Sequence, residues 1–274
     1  MKLFGLVKGF WGDIYQNKFV ISQLVKRDYK NRYLGSFLGF VWTIIQPLVM
    51  LLVLWLVFEK GFKSGPITLA DGRVIPFIAW FALGIVAWNF FAETLSAITG
   101  VFQEYSYLIK KINFKVAILP IVKILSSLIT HGIFLVIAII IISLSGVEFS
   151  WYWFQMFYYL ASVTVLLLGL GWILSSIQVF FRDMSQIVGV VLNIGFWMTP
   201  VVWNFNIVPT ELGIYFKLNP MFYIVEGYRK SFLYHEAFWK NTDMMLYFWG
   251  VTVIVLIIGV MIFKRLRSHF SDVL

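Results

Sequence analysis

The sequence predicts an all-α integral membrane protein with six transmembrane helices, an N-terminal amphipathic interface helix and two short re-entrant outer helices between the fifth and sixth spans. Of its 274 residues, 61% are hydrophobic and 13% are charged, whereas a soluble domain carries about 25% charged residues. The apolar residues form long blocks, and about 20 such residues cross a bilayer as a helix. The net charge of +9 arises from basic residues between these blocks, which indicates membrane lipids and not nucleic acid as the partner.

Six apolar blocks define the predicted spans. They cover about Gly35–Phe58, Val74–Phe91 with an extension toward Phe102, Val116–Leu144, Leu160–Phe181, Ile187–Val202 and Met244–Phe263. The aromatic run WYWFQMFYY precedes the fourth span and is typical of an interfacial belt, so we predict that it lies outside the span. Summed over alternate connectors, fourteen Lys and Arg residues lie on one side and seven on the other. The positive-inside rule therefore predicts that both termini are cytoplasmic.

Residues 1–34 form the first cytoplasmic segment, before a transmembrane domain of residues 35–263 and a cytoplasmic tail of residues 264–274. Apolar residues recur in it at helical spacing with lysines between them, which predicts the amphipathic interface helix. This helix is either a simple anchor or a surface that collects a lipid-linked substrate. The segment ends in a basic cluster directly before a charge-free run, and the cluster comprises Lys26, Arg27, Lys30 and Arg32. Its position predicts that it holds the start of the first span at anionic headgroups.

The connector at residues 104–115 mixes apolar and basic residues in a short cytoplasmic turn. Tyr105, Leu108 and Ile109 alternate there with Lys110, Lys111 and Lys115. Two interpretations remain open. The apolar residues form a docking surface for a partner protein, or they belong to a helix end whose lysines reach toward the headgroups.

The segment at residues 203–243 is too charged to cross a membrane and too apolar for an exposed loop. It holds eleven aromatic residues together with Pro209 and Pro220. We predict two short helices, about Pro209–Leu218 and Pro220–His235, which re-enter the outer leaflet packed against protein. Glu226 and Arg229 are three residues apart on the second helix and are expected to pair. The segment is either an ordinary amphipathic cap or a gate over an exit.

Polar residues within the predicted spans are functional candidates because intramembrane charge is costly. Glu93 has no second acid at a relay spacing, Lys123 is close enough to the cytoplasmic end to reach the headgroups, and His131 is either a packing residue or a proton relay. The roles of Glu93 and His131 stay open. The sequence contains no cysteine and no catalytic or metal-binding motif, so we expect neither an enzyme nor a metal site. It also lacks the Gly-Lys pair of a Walker A motif.

Three motifs resemble the membrane subunit of ABC-2 type exporters, in the branch that carries O-antigen and wall teichoic acid across the bacterial inner membrane. They read RDYKNRYLGSFLGFVW at 27–42, FFRDMSQIVGVVLNIGFWMTPVVW at 180–203 and KLNPMFYIVEGYRKSFLY at 217–234. The resemblance covers nearly the whole chain and keeps the motif order. The LNPMFYIVEGYR stretch and the chain length are closer to the teichoic acid exporters, which we therefore rank before the O-antigen exporters.

This resemblance implies a transporter of two such chains, each over a separate ABC ATPase subunit that binds ATP and Mg²⁺, with no cofactor in the chain itself. It implies that the connector at 104–115 is the helix that couples to the ATPase, through Tyr105, Leu108, Ile109, Lys110, Lys111 and Phe114. It also implies that the basic cluster binds the pyrophosphate of an undecaprenyl-pyrophosphate-type lipid-linked polymer, since arginine binds phosphate in a bidentate way. The helices at about 209–235 would be the outer gate, with Phe222, Tyr223, Tyr228, Arg229 and Phe232.

Aromatic side chains of the first two spans are candidates to line the path of a sugar polymer, because sugars have apolar C–H faces that slide over aromatic rings. These candidates are Trp42, Phe81, Trp88, Phe90 and Phe91. They could equally be packing residues that face lipid.

Three other functions remain as alternatives. An ABC-2 permease for a small drug or lipid would have a narrow channel without an aromatic lining. A secondary transporter would work without an ATPase and would show an internal repeat. An intramembrane enzyme would need a catalytic cluster.

Overall fold

The computed structural model describes residues 12, 15–32, 36–69, 72–110 and 115–274. The helices of these ranges are, in chain order, α1 (Lys18–Asn31), α2 (Trp42–Trp55), α3 (Phe77–Thr99), α4 (Val101–Glu104), α5 (Ser106–Ile109), α6 (Leu119–Leu144), α7 (Gln155–Phe180), α8 (Met184–Met198), α9 (Thr210–Lys217), α10 (Pro220–Arg229), α11 (Thr242–Leu266) and α12 (Phe270–Val273). Most of the segment predicted as the amphipathic helix, residues 1–11, 13 and 14, lies outside the described residues.

A two-stranded hairpin departs from the predicted all-α fold. Strands β1 (Ile67–Thr68) and β2 (Val74–Ile75) pair antiparallel between α2 and α3. All of these strand residues are Ile, Thr or Val, and β-branched side chains favour strands. Gly72 lies in the turn with a φ of +83°, a conformation that glycine adopts without strain. The second span consequently begins at Phe77, after Pro76, and not at Val74 as predicted.

Five helical stretches of the described residues are long and apolar enough to cross a membrane. They are Gly39–Gly61, Phe77–Thr99, Val116–Leu144, Trp151–Phe180 and Thr242–Val273. Each corresponds to one predicted span, and the chain is therefore a multi-pass membrane protein. The helix at the fourth span begins before the predicted Leu160: the 3₁₀ turn at Trp151–Phe154 leads directly into α7, with no Gly or Pro at the junction. The interfacial position of the aromatic run stays a prediction.

The predicted fifth span is the shorter apolar helix α8, which has 15 residues. At 1.5 Å per residue it is about 22 Å long, less than the roughly 30 Å of a hydrocarbon core. We predicted that it would reach Val202, but it ends at Met198. Thr199 is extended, as the residue before a proline prefers to be, and Pro200 has no amide hydrogen with which to continue the helix. A sixth crossing at α8 thus stays a prediction.

Helix α3 forms the centre of the bundle, and α2 lies at its edge. In the most apolar stretch of each helix, 72% of the residues are buried in α3 but only 17% in α2. On the other side of the bundle α7 and α11 approach each other at Gly169 and Gly259. A Cβ atom on Gly169 would lie 2.9 Å from the backbone of Leu256, so the two helices pack through glycine as closely packed membrane helices do.

Candidate functional site

Helix α1 joins the bundle through one face. Ile21, Leu24 and Asp28 are its buried residues, and their spacing of three and four places them along one side of the helix. This face packs against α6. The other side carries Lys26, Arg27 and Lys30, all exposed, and the guanidinium of Arg27 lies 5.3 Å from the centre of the Tyr107 ring.

Arg32, the fourth member of the predicted basic cluster, is separated from the other three. It caps the end of α1 and turns into the bundle, where its Nη1 pairs with Glu93 of α3 and its Nη2 donates to Ser127 Oγ at 3.0 Å. Its Nε lies 3.7 Å from Asp28 Oδ2. The carboxylate of Glu93, whose role the sequence left open, is therefore the partner of Arg32. Pyrophosphate binding by the cluster stays a prediction, and in this conformation the surface that could provide it comprises Lys26, Arg27 and Lys30.

Asp28 and Lys123 form a buried ion pair at the centre of this region. Asp28 is 3% exposed and Lys123 is 6% exposed. Lys123 Nζ contacts Asp28 Oδ1 and also lies 2.7 Å from Glu104 Oε2. Buried charges are tolerated when they are paired, which accounts for these two, although Asp28 Oδ2 accepts no hydrogen bond from the described residues. The interpretation of Lys123 as a lysine reaching to the headgroups is wrong for this structure. We define the ion network as Asp28, Arg32, Glu93, Glu104 and Lys123.

The predicted coupling connector contacts the ion network directly. It forms two short helices, α4 and α5, with Tyr105 between them. Tyr105 is buried and its hydroxyl donates to Asp28 Oδ1 at 3.3 Å. Burial and the nearby carboxylates of Asp28 and Glu104 raise the pKa of this hydroxyl above its usual value, so it keeps the proton that it donates.

The surface of the connector is formed by other residues than Tyr105. Tyr107 and Lys110 are exposed, while Leu108 and Ile109 are half-buried. Lys111 and Phe114, which we also predicted to contact a partner, lie outside the described residues. Sequence reasoning missed Tyr107, although its position in a polar turn gave the same signal that singled out Tyr105. Coupling through this surface stays a prediction.

At the opposite end of the bundle, helix α10 begins at a clear capping signal. The Asn219 side chain accepts from the Met221 amide at 3.0 Å, and Pro220 occupies the first helical position. The Asn219 amide also donates to Thr199 Oγ1 at 2.7 Å. The Asn219 side chain thus connects the start of α10 to Thr199, the residue that ends α8.

Arg229 at the end of α10 holds this helix in the bundle. It has no exposed surface. Its guanidinium donates to the carbonyl oxygens of Pro200 at 2.7 Å and Val201 at 2.8 Å, and it lies over the Trp80 ring at 3.4 Å. It also pairs with Glu226 at 2.6 Å, so the expected Glu226–Arg229 pair is confirmed. These contacts satisfy two buried carbonyl groups of the segment after α8, which belong to no helix.

The other predicted gate residues are buried around α10. The Tyr228 hydroxyl lies 3.1 Å from His131 Nε2, and the Tyr223 hydroxyl lies 3.1 Å from that of Tyr158. The Phe222 ring lies 4.9 Å from Phe205, and Phe232 lies 5.1 Å from Trp153. Helix α10 is therefore packed against protein, which favours the packed interpretation over an exposed cap. Gating stays a prediction.

His131 has the environment of a packing residue. Its ring lies 4.6 Å from that of Phe90, and its Nε2 shares a hydrogen bond with the Tyr228 hydroxyl. Four of the predicted channel aromatics share this core: Phe81, Trp88, Phe90 and Phe91 are all buried. Trp42 is the exposed member, at 41%. In this conformation the other four leave little surface for a polymer, and the channel role stays a prediction.

The fold and these two regions define a class of protein: an integral membrane protein in which buried polar groups hold the helices together. Within the described ranges, no three His, Asp or Glu side chains are grouped so that they could hold a metal ion. The profile of the ABC-2 type transporter family matches residues 20–233, and the chain belongs to this family.

Three relatives that match the chain over most of their length are named as permeases. It is 26% identical over 268 residues to the O-antigen export system permease protein RfbA of Myxococcus xanthus, covering 95% of this chain and 97% of the relative. Two proteins of the same name from Klebsiella pneumoniae are each 22% identical over 257 residues, covering 92% of this chain and 93% of each relative.

Proposed function

We propose that this chain is the membrane subunit of an ATP-driven exporter, in which two copies and two separate ATPase subunits move a lipid-linked polysaccharide across the bacterial inner membrane. The observation that carries the proposal is the similarity to permeases named for O-antigen export, which extends over more than nine tenths of both chains. Those names lead us to rank an O-antigen-type polysaccharide first and wall teichoic acid second, in reverse of the order from the sequence motifs.

The ATPase would be a separate protein because the chain has no Gly-Lys pair for a Walker A motif. The contact between Tyr105 and Asp28 supports this arrangement, since it gives a subunit bound at the connector a direct path to α1. In the proposed cycle the ATPase moves the connector, and α1 with its exposed basic residues receives the lipid-linked substrate at the cytoplasmic surface.

Deletion of the gene, followed by complementation, tests the export proposal. The deletion strain should lose surface polysaccharide and accumulate the lipid-linked polymer inside, and the wild-type gene should reverse both changes. Purification of the tagged chain from the complemented strain should recover an ATPase, and a P-loop Lys→Ala variant of that ATPase should block export. Normal surface polysaccharide in the deletion strain would refute the proposal, and a changed drug sensitivity in the same strain would favour a drug permease.

We propose six crossings with both termini cytoplasmic, so that α8 crosses with the extended segment after it and α9 and α10 re-enter the outer leaflet. Ser22 and Ser268 are both exposed in this cysteine-free chain. With six crossings, Ser22→Cys and Ser268→Cys should both react with an impermeant maleimide only after the cells are permeabilised. With five crossings, one of the two would react in intact cells.

A further inference from the structure

A cavity of about 490 Å³ lies at the end of the bundle opposite the ion network. Its wall includes Trp80, thirteen residues before Glu93 on α3, which is about 20 Å along the helix. The hairpin, the segment after α8 and the helices α9 and α10 contribute to the wall. Under the proposed topology this outer cavity opens on the side from which an exported polymer leaves. Its volume falls within the range of roughly 300–1,000 Å³ that is usual for ligand sites.

Four aromatic side chains line the outer cavity in fixed positions. The Trp80 indole donates to the Tyr234 hydroxyl at 2.8 Å, and the Phe205 and Phe222 rings meet edge to face at 4.9 Å. Rings that are already held by their neighbours lose little conformational freedom when a ligand stacks on them. Trp80 and Phe222 are 2% and 8% exposed and support the wall from behind, whereas the half-buried rings of Phe205 and Tyr234 keep surface that suits the apolar C–H faces of sugars.

Amide side chains provide the polar groups of the same wall. They belong to Asn204, Asn206 and Asn241. Asn204 Oδ1 accepts from the Asn206 backbone amide at 3.0 Å, whereas the side chains of Asn206 and Asn241 have no hydrogen-bond partner among the described residues. A carboxamide offers a donor and an acceptor side by side, and neighbouring sugar hydroxyls require both.

The charges of the wall balance and do not favour a polyanion. Lys217 and Lys230 are matched by Glu226 and Glu236. Glu226 already pairs with Arg229, and Lys230 Nζ lies 3.8 Å from Glu236. A chain of phosphodiesters would meet the two carboxylates and would find the arginine turned toward backbone carbonyls. The wall therefore fits uncharged sugar rings better than a polyol phosphate.

We propose that the outer cavity binds a short, uncharged segment of the polysaccharide as it leaves the transporter, which deepens the proposed function and rests on it. Stacking on the aromatic wall and hydrogen bonding to Asn206 and Asn241 would hold the segment weakly.

Photocrosslinking tests this site in the intact transporter. Asn206→Cys and Ile207→Cys are made in the cysteine-free chain and labelled with a benzophenone maleimide. Ile207 is the matched control, because it is adjacent and 73% exposed but does not line the cavity. After irradiation of exporting cells, the Asn206→Cys chain should carry carbohydrate that is detected by periodate oxidation, and the Ile207→Cys chain should not. No carbohydrate on Asn206→Cys, or equal amounts on both, would overturn the proposal.

A protection experiment tests the chemical class of the ligand. The host's own polysaccharide, released from its lipid by mild acid, should slow thiol labelling of Asn206→Cys in the purified transporter, and polyglycerol phosphate should not. Protection by polyglycerol phosphate alone would overturn the uncharged assignment. The deletion strain distinguishes failure of the cavity proposal from failure of the proposed function. If export requires the chain but the Asn206→Cys variant is not crosslinked, the cavity proposal fails and the proposed function stands. If export is normal without the chain, both fail.

Discussion

Substitution of Lys123 by Met tests whether the ion network holds α1 on the bundle. The change keeps most of the side-chain volume and removes the ammonium group that contacts Asp28 and Glu104. Asp28, 3% exposed, would then keep only the Tyr105 hydroxyl at 3.3 Å and Arg32 Nε at 3.7 Å. Breaking a buried pair from one side costs about 3–5 kcal/mol. Because Arg32 remains near Asp28, we expect the lower end of this range.

The matching double substitution, Asp28→Asn with Lys123→Met, removes both buried charges. Since no uncompensated ion is left, we expect its stability to lie within about 1 kcal/mol of wild type. The two substitutions should therefore be strongly non-additive. Lys30→Met is the control: it removes one lysine from the exposed side of α1 and should change stability by less than about 0.5 kcal/mol.

Thermal unfolding of the purified protein in detergent, followed by the fluorescence of its 12 tryptophans, measures these differences. At about 2 °C per kcal/mol for a chain of this size, Lys123→Met should lower Tm by about 6 °C and the double variant by about 2 °C or less. A Lys123→Met protein that melts with wild type would refute the pairing. If the double variant lowers Tm by the sum of the changes in Asp28→Asn and Lys123→Met, the two residues do not depend on each other.

Three further predictions follow from other contacts. Arg229→Lys should lower Tm and speed amide exchange in α10, because a lysine cannot bind two carbonyl oxygens at once as the arginine fork does. Each such bond is worth about 1.5–3 kcal/mol. Unchanged exchange would show that Arg229 does not hold α10 in the bundle. Gly84→Ala should have a similar effect, because its Cβ would lie 2.6 Å from Arg229 Nη2, whereas Gly100→Ala, with no atom within 4 Å, should melt with wild type. Leu108→Asp with Ile109→Asp should abolish recovery of the ATPase and block export while Tm changes by less than in Lys123→Met; normal recovery and export would show that the connector does not couple.

Hydropathy located the long helices because a membrane span must satisfy its own backbone, so length and apolar composition are nearly sufficient to find it. The errors occurred where backbone chemistry competes with hydropathy. The 180–203 run stays apolar beyond Met198, but Thr199 and Pro200 end the helix there. The residues next to the second span form a hairpin because their side chains are suited to strands and Gly72 permits the turn.

Partners of the charged residues could not be predicted from the sequence for a different reason. Asp28 and Lys123 are 95 residues apart, and Arg32 and Glu93 are 61 apart. No periodicity connects residues at such separations, so each charge looked isolated: Glu93 as a functional candidate and Lys123 as a lysine near the headgroups. The Glu226–Arg229 pair was found because its spacing of three lies within one helix.

The positions of these charges also indicate which helix connects the two ends of the bundle. At the α1 end, the buried pair of Asp28 and Lys123 connects α1 to α6 and is sensitive to geometry, because a displaced partner leaves a desolvated charge. More exposed ion pairs connect this pair to Glu93 of α3 and to Glu104 of the connector. At the opposite end of the bundle, Arg229 joins α10 to α3 and to the segment after α8. Helix α3 takes part in both regions and is the most buried span of the described residues. If the connector moves in the proposed cycle, α3 provides a path of contacts from the connector to α10, whereas the apolar stretch of α2 is only 17% buried.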